Sequence, residues 1–416
     1  MLFRSGRLRL QDRQERGLPP RAVSADGHLQ STRSCRQPYA GRVRELVAID
    51  TPSASLIVST VRKLWDDGDA ALVIDQRLPT VSKTMLVERL GVHRVFDGIS
   101  MSTRLSTAEP MRDDDAIVVA TSGTSGEAKG VVHTHAGLRT ASIATAAALG
   151  CGAEAHWLAC LPLSHIGGFG VVTRALHTGA GLTLHDGFDP SAVESSQATH
   201  VSLVATALAR IDATVFRRIL LGGSRPPAAV PHNVTTTYGL TESCGGIVYD
   251  RRPVPGVSVR IADDGEVLLR GPMIMDRYRN ADLVSPVDPD GWLHTADFGS
   301  IAEGLLHVEG RRGDLIITGG ENVWPDAVER VLATHPDIVE CCVAGIDDPE
   351  WGQRVVAWIV STSHGKPSID EIRDHVAEEL PRFCAPREVR YVASLPRTAL
   401  GKVIRRELAQ GLASPE

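Results

Sequence analysis

The sequence predicts an α/β protein in which a large N-terminal domain of α/β subdomains carries a small β-rich unit and is followed by a small α+β C-terminal domain. Three observations predict it. Short apolar runs of strand length alternate with helical stripes from about residue 43 to Leu221. Between Gly256 and about Gly310 the pattern changes to short strands punctuated by turn residues. Residues 311–416 then return to an independent mixture of strands and amphipathic helices. At 416 residues the chain is also too long for one core of ordinary size.

In chain order, residues 1–42 hold nine arginines against three acidic residues, with little apolar periodicity, which is the composition of a poorly ordered extension. Organelle transit peptides are also Arg-rich and acid-poor; an upstream extension outside the fold is the simpler reading. From 43 to about 115, a helical stripe through Val61–Trp65, an apolar strand at Ala70–Ile74 and a helix through Val87–Leu90 make a small α/β unit. Asp115–Ala120 reads as a buried strand entering the Gly/Ser/Thr loop Thr121–Gly130, and Val131–His135 as a further strand. Strands at His156–Leu161, Gly181–His185, His200–Val204 and Arg218–Leu221 indicate a mainly parallel sheet. The β-rich unit follows with Val257–Ile261, Val267–Arg270 and Leu305–Val308. Further on, strands are expected at Ile338–Ala344 and Val355–Val360. A helix opens at Ser368, whose spacing to Glu371 makes a capping box, and it buries Ile372, Val376 and Leu380. The domains are drawn as 43–310 and 311–416, with the boundary near Arg311–Asp314.

A hydrophobic share of 43% beside 23% charged residues suits a packed core and argues against a fibrous or largely disordered chain. The net charge of −6 gives no general attraction to nucleic acid, and no basic stripe with interleaved aromatics offsets it. Seven scattered cysteines without a CxxC spacing suggest neither a disulfide framework nor a zinc site, and they point to a reducing cytoplasm. Cys341 and Cys342, adjacent in a strand, should face opposite ways. No apolar run approaches the roughly 18 residues that cross a bilayer, and the N-terminus has no segment of signal-peptide type.

The loop from Thr121 through Ser122, Gly123, Thr124, Ser125 and Gly126 to Lys129 is the strongest chemical signal. Small hydroxyls and glycines let backbone N–H groups converge on an anion, and the lysine adds charge. A Walker A loop is excluded, because it needs Gly-Lys-Ser/Thr where this chain has Ala128, Lys129 and Gly130. Taken alone, such a loop is more often a plain surface turn.

Further motifs follow in order: Tyr238–Glu242, Gly291–Asp297, Gly310–Asp314 with Gly319–Asn322, and Leu395–Lys402. Together they span about Asp115 to Arg406 and resemble the superfamily of acyl-CoA synthetases, peptide-synthetase adenylation domains and beetle luciferases. The resemblance implies an adenylate-forming enzyme that activates a carboxylic acid with ATP and Mg²⁺ and hands the acyl group to coenzyme A. It sets the Tyr238 ring against the adenine, counts Gly239 among the nucleotide-binding residues, and makes Gly222, Gly223 and Ser224 the adenine-side turn. Thr241 then meets the α-phosphate and Glu242 the Mg²⁺, a hard cation that takes oxygen ligands. Asp297 and Arg311 hold the ribose hydroxyls, one accepting and one donating. Lys402 becomes the catalytic lysine of the first half-reaction, where a positioned ammonium offsets charge in the transition state. His165 falls beside the acyl pocket, although a core histidine with a satisfied ring is an equal reading.

By the same resemblance the C-terminal domain is mobile about a hinge at Arg311–Asp314, where Gly313 replaces the more common Asp or Lys, and Gly319 and Gly320 line the pantetheine channel. Glu242–Asp250 and the shortened region before the loop look most like actinobacterial 2-succinylbenzoate–CoA ligases of menaquinone synthesis. Such an acid has two carboxylates, so a cation is expected near the pocket, and the sequence does not identify it. The alternatives are a general fatty or aryl acyl-CoA synthetase and an enzyme that loads a carrier protein. A non-catalytic nucleotide-binding relative is opposed by the joint retention of Lys129, Glu242, Asp297 and Lys402. Expected partners are the acid, ATP and CoA, with a homodimer left open and no nucleic acid or membrane span.

Overall fold

Two strands that are apolar at every position lie inside the first sheet. Leu46–Ile49 and Ala70–Val73 are buried throughout, and their alternation feeds two cores. Val47 and Ile49 face one side, whereas Leu46 and Ala48 face the other. The computed structural model describes residues 43–103, 105, 109–122, 128–227, 229–363, 365–397 and 403–411. The expected extension 1–42 lies outside them.

The first sheet has six strands in the order Arg277–Tyr278, Ala128–Thr134, Asp115–Ser122, Ala70–Val73, Leu46–Ile49 and Arg94–Phe96. The last four are mutually parallel. The second has seven, in the order Arg252–Pro253, Gly245–Tyr249, Val234–Leu240, Arg218–Leu221, His200–Leu203, His156–Ala159 and Gly181–Leu184. Its pairings are parallel except those made by Gly245–Tyr249. Helices His135–Leu149 and Ile166–Thr178 lie between the two sheets, since Leu138 and Phe169 share one core with Ile117 of the first and Ile247 of the second. The Thr134 side chain accepts from Gly137 N and starts the first of these helices. Trp65, from helix Ala54–Asp67, meets Phe169 edge to face at 6.1 Å and donates to Ala116 O at 2.8 Å.

The expected β-rich unit is a four-stranded antiparallel sheet, Ser258–Ile261, Glu266–Arg270, Leu293–Ala302 and Leu305–Arg311. Beyond it lies a five-stranded sheet in which Gly352–Ser361 is central and the long strand Ile338–Asp348 pairs along one side of it. Helix Ile369–Glu379 covers it, opened by the Ser368 and Glu371 capping box. This helix buries Ile372 and Val376 but stops one residue before Leu380, which turns extended and packs only partly on the core. Cys341 and Cys342 face different cores, as successive strand residues must.

The described residues from Val43 onward cluster as one compact unit. Inside it the apolar cores segregate: three hold no residue after Leu306, and two hold none before Ile316.

Strands Val234–Leu240 and Gly245–Tyr249 slip register between Tyr238 and Gly239. A Cβ on Gly239 would overlap the Gly245 carbonyl oxygen, so only glycine allows the approach. Gly239→Ala is expected to cost about 1–3 kcal/mol of stability, the usual range for overpacking, and to weaken ATP binding by displacing Tyr238 and Thr241. Urea denaturation and isothermal titration of the variant check both effects.

Candidate active site

Several segments that follow the C-terminal ends of parallel strands open onto one cleft of about 1890 Å³. Thr121 extends from Asp115–Ser122, the segment reaching His165 from His156–Ala159, and Gly222, Gly223 and Ser224 from Arg218–Leu221. This is where parallel α/β sheets place ligands, because strand ends leave backbone groups and loops free of the sheet.

The strands on either side of the phosphate-type loop, Asp115–Ser122 and Ala128–Thr134, pair as an antiparallel hairpin. Thr121 pairs with Lys129, and both line the cleft; the strand expected at Val131–His135 runs from Ala128 to Thr134, and His135 instead opens the helix His135–Leu149, where the Thr134 side chain caps it. Gly123, Thr124, Ser125, Gly126 and Lys402 lie outside the described residues, and Ser122 is described only as the last residue of its strand. Arg397 and Val403, which flank 398–402, bridge to each other and both line the cleft.

The Tyr238–Glu242 motif runs to the end of a strand and into a 3₁₀ turn, Thr241–Ser243. Tyr238 Oη donates to Asp297 Oδ2 at 2.8 Å; burial raises its pKa, the Asp297 charge raises it further, and the phenol stays protonated. Asp297 stands opposite Arg311 in the sheet register, with Arg311 Nε 3.7 Å from its carboxylate. The structure thus joins the tyrosine expected at the adenine to the pair expected at the ribose. Glu242 accepts from Tyr278 Oη at 2.8 Å, while Met275 N donates to the Glu242 carbonyl at 2.8 Å. His133 Nε2 donates to Thr241 O at 2.8 Å and fixes the turn from behind.

Two residues beside this machinery hold left-handed backbone without being glycine. Ala296 (φ 59°) precedes Asp297, and Cys244 (φ 61°) follows the turn that carries Glu242. Each costs of order 1 kcal/mol and persists where surrounding bonds fix it. At Ala296 the fixing bond is a 2.7 Å donation from its N–H to Glu266 Oε1.

His165 takes the engaged form of its two readings and still lines the cleft. Its Nε2 stands 3.1 Å from Asp75 Oδ2 and 2.9 Å from Arg77 Nη2. One ring nitrogen either donates or accepts, so it serves one of these neighbours at a time. Burial works to raise the Asp75 carboxyl, but hydrogen bonds from Arg77 and His165 hold it well below the usual carboxylate range. An ionised Asp75 favours the Nε2–H tautomer. Both partners come from the segment between 43 and 115, so that segment orients a side chain that lines the cleft.

A buried cation, Arg174, stands in the cleft. It is 8% exposed, lies on helix Ile166–Thr178 and lines the cleft. Its guanidinium stacks 4.4 Å over Trp157 and donates to Ser202 Oγ at 3.4 Å. Among the described residues it forms no ion pair; its charged or ionisable neighbours are Tyr249, Cys151 and Cys244. Sequence reasoning missed it because a lone arginine in an apolar helical stripe has no motif around it.

The C-terminal part closes on the same cleft. Arg225, just after the Gly222–Ser224 turn, reaches Asp326 of helix Pro325–Leu332 at 2.5 Å, and Arg405 binds Asp326, Glu329 and Asp314.

Comparison with known proteins agrees with this geometry. The AMP-binding enzyme model matches residues 44–279, and the AMP-binding enzyme C-terminal domain model matches 327–402. The chain belongs to the AMP-binding enzyme family. It is an AMP-forming acid–thiol ligase of that family. A probable 2-succinylbenzoate–CoA ligase of Mycobacterium tuberculosis is 36% identical over 88% of this chain and 98% of its own length. Among solved structures, the o-succinylbenzoate CoA synthetase of Bacillus subtilis in complex with its acyl-adenylate intermediate has a TM-score of 0.77 at 28% identity, covering 88% of each chain. The same enzyme in complex with ATP and magnesium ion scores 0.76 at 27% identity, covering 88% and 90%.

Within this AMP-binding enzyme, His133 offers a pH test of the turn that holds Thr241. Burial pulls its pKa from the ordinary 6.5 down to about 4, against the opposing hydrogen bond to Thr241. Unfolded His133 therefore binds a proton that the folded state refuses between those values, and its contribution to stability is present above about 6.5 and lost as the pH falls toward 4. His133→Gln should remove that dependence, so that the stability difference between wild type and variant changes by on the order of 3 kcal/mol across the window. Urea unfolding at several pH values measures it, and parallel curves would exclude His133 as the titrating group.

Proposed function

We propose that the chain is a 2-succinylbenzoate–CoA ligase, which activates an acid carrying a second carboxylate as its adenylate with ATP and Mg²⁺ and passes the acyl group to coenzyme A. The observation that carries the substrate class is Arg174. A guanidinium buried in the cleft without an ion-pair partner among the described residues carries an unmet charge, and a substrate carboxylate supplies the counter-ion. The names of the relatives support the same acid.

In the first step a carboxylate oxygen of the acid attacks the α-phosphorus, and pyrophosphate leaves. Lys129 neutralises phosphate charge from the hairpin, Thr241 meets the α-phosphate, and Asp297 and Arg311 hold the ribose hydroxyls. Lys402 brings its ammonium to the reacting anions from the C-terminal part. In the second step the thiol sulfur of CoA attacks the acyl carbonyl and AMP leaves. His165 borders the acyl group, with its ring set by Asp75.

The residues fit magnesium: Glu242 offers a single carboxylate in the cleft that Thr121 and Lys129 also line. Magnesium typically takes one or two carboxylates and completes its shell with phosphate and water. When bound, it neutralises the charge that builds on the departing pyrophosphate. The proposal also sets the enzyme in the cytoplasm, in accord with six free cysteines among the described residues. A homodimer is carried with no surface assigned to it.

Two measurements test this reading. Lys402→Ala should abolish acid-dependent pyrophosphate release while sparing thioester formation from supplied acyl-adenylate; equal loss in both assays rejects the role. Arg174→Gln should lower kcat/KM for 2-succinylbenzoate by about 10²-fold or more, since an unpaired buried charge costs about 3–5 kcal/mol. It should change little for an acid of similar size lacking the second carboxylate. Equal effects on both acids would favour the general aryl acyl-CoA ligase instead.

A further inference from the structure

Tyr278 is absent from the motifs that the sequence singles out, yet it touches two of the residues they contain. It occupies a two-residue strand, Arg277–Tyr278, that pairs with Val132 and Val131 of the phosphate hairpin. Its hydroxyl donates to Glu242 Oε1 at 2.8 Å, and Lys129 Nζ lies 5.3 Å from its ring centroid. Glu242 and Lys129 both line the cleft, whereas Tyr278 stands behind its wall.

The neighbours make that position rigid. Arg277 forms a two-pronged bond to Asp115, whose side chain is 1% exposed. Buried Arg279 donates to the carbonyls of Leu90, Gly91, Glu109 and Pro110, and its own N–H bonds Gly130 O. Asn280 accepts from Gly130 N at 2.8 Å and donates to Ala128 O. Met275 N holds the Glu242 carbonyl. A side chain framed this way has one position, and its partners inherit it.

We propose that Tyr278 is the positioning residue of the magnesium site: its hydroxyl occupies one oxygen of Glu242, directing the other toward the metal, and its ring seats the Lys129 ammonium beside it. The proposal rests on the reading of Glu242 as the protein's magnesium contact. Tyr278 touches neither nucleotide nor acid by this account, so its removal weakens metal use before it weakens catalysis.

The test is calorimetric ATP binding, titrated with Mg²⁺ and repeated in EDTA, on wild type, Tyr278→Phe, Tyr278→Leu, Glu242→Gln and the double variant Tyr278→Phe with Glu242→Gln. Loss of one charge-assisted hydrogen bond should raise the half-saturating Mg²⁺ about tenfold in Tyr278→Phe, with ATP affinity in EDTA and thermal midpoint near wild type. Tyr278→Leu, which also loses the ring beneath Lys129, should in addition bind ATP more weakly in EDTA. In the Glu242→Gln background the phenylalanine substitution should have no further effect on the Mg²⁺ requirement, because the two groups act as one unit. Additive effects, or an unchanged Mg²⁺ requirement in Tyr278→Phe beside an impaired Glu242→Gln, overturn the proposal. An unchanged requirement in Glu242→Gln overturns the magnesium reading of that residue and the proposal with it.

Discussion

The bond between Arg277 and Asp115 ties together parts of the chain that lie 162 residues apart, and the geometry of the cleft follows from it. Asp115 begins the phosphate hairpin and is nearly inaccessible, so its charge is tolerable only with the guanidinium against it. Once that pair forms, Met275–Asn280 lies along the hairpin. The backbone of Glu242 is then held by Met275, its carboxylate by Tyr278, and the hairpin strand by Arg279 and Asn280. Glu242 and the hairpin that carries Thr121 and Lys129 thus share one support, and neither can shift without the other.

The opposite wall depends on a different economy. Arg174 stays buried against Trp157 without a carboxylate among the described residues, so its desolvation is offset only partly by stacking and by Ser202. Left-handed backbone at Ala296 and Cys244 adds local strain beside Asp297 and Glu242. Such costs cluster where binding needs a fixed group more than the fold needs stability. The segment between 43 and 115 takes part as well, since Asp75 and Arg77 reach His165 and orient its ring.

The C-terminal part meets the rest through charge more than through shared apolar core. Arg225 beside the adenine-side turn, Asp326 and Glu329 on helix Pro325–Leu332, and Arg405 near the end of the chain make one network. Burial raises the Glu329 pKa while the Arg405 charge opposes it, and Arg405 is itself raised by its carboxylate partners against burial. Polar contacts of this kind exchange readily for water, which suits a surface that must part and re-form if the half-reactions alternate.

Periodicity and turn chemistry in the sequence determined the elements. Strands apolar throughout could only be central strands, and Ser368 with Glu371 could only open a helix, because these signals act over a few residues. Ordered motifs likewise marked Thr121, Lys129, Tyr238, Thr241, Glu242, Asp297 and Arg311, seven residues that the structure brings to one cleft. The fold alone decided what stands behind them. Tyr278, Arg277 and Asn280 brace the hairpin across about 150 residues of chain, Asp75 reaches His165 across 90, and Arg174 becomes a buried cation only when two sheets close over its helix. Pairings of that range leave no local pattern, since they arise from which strand edges meet and not from the spacing of residues along the chain.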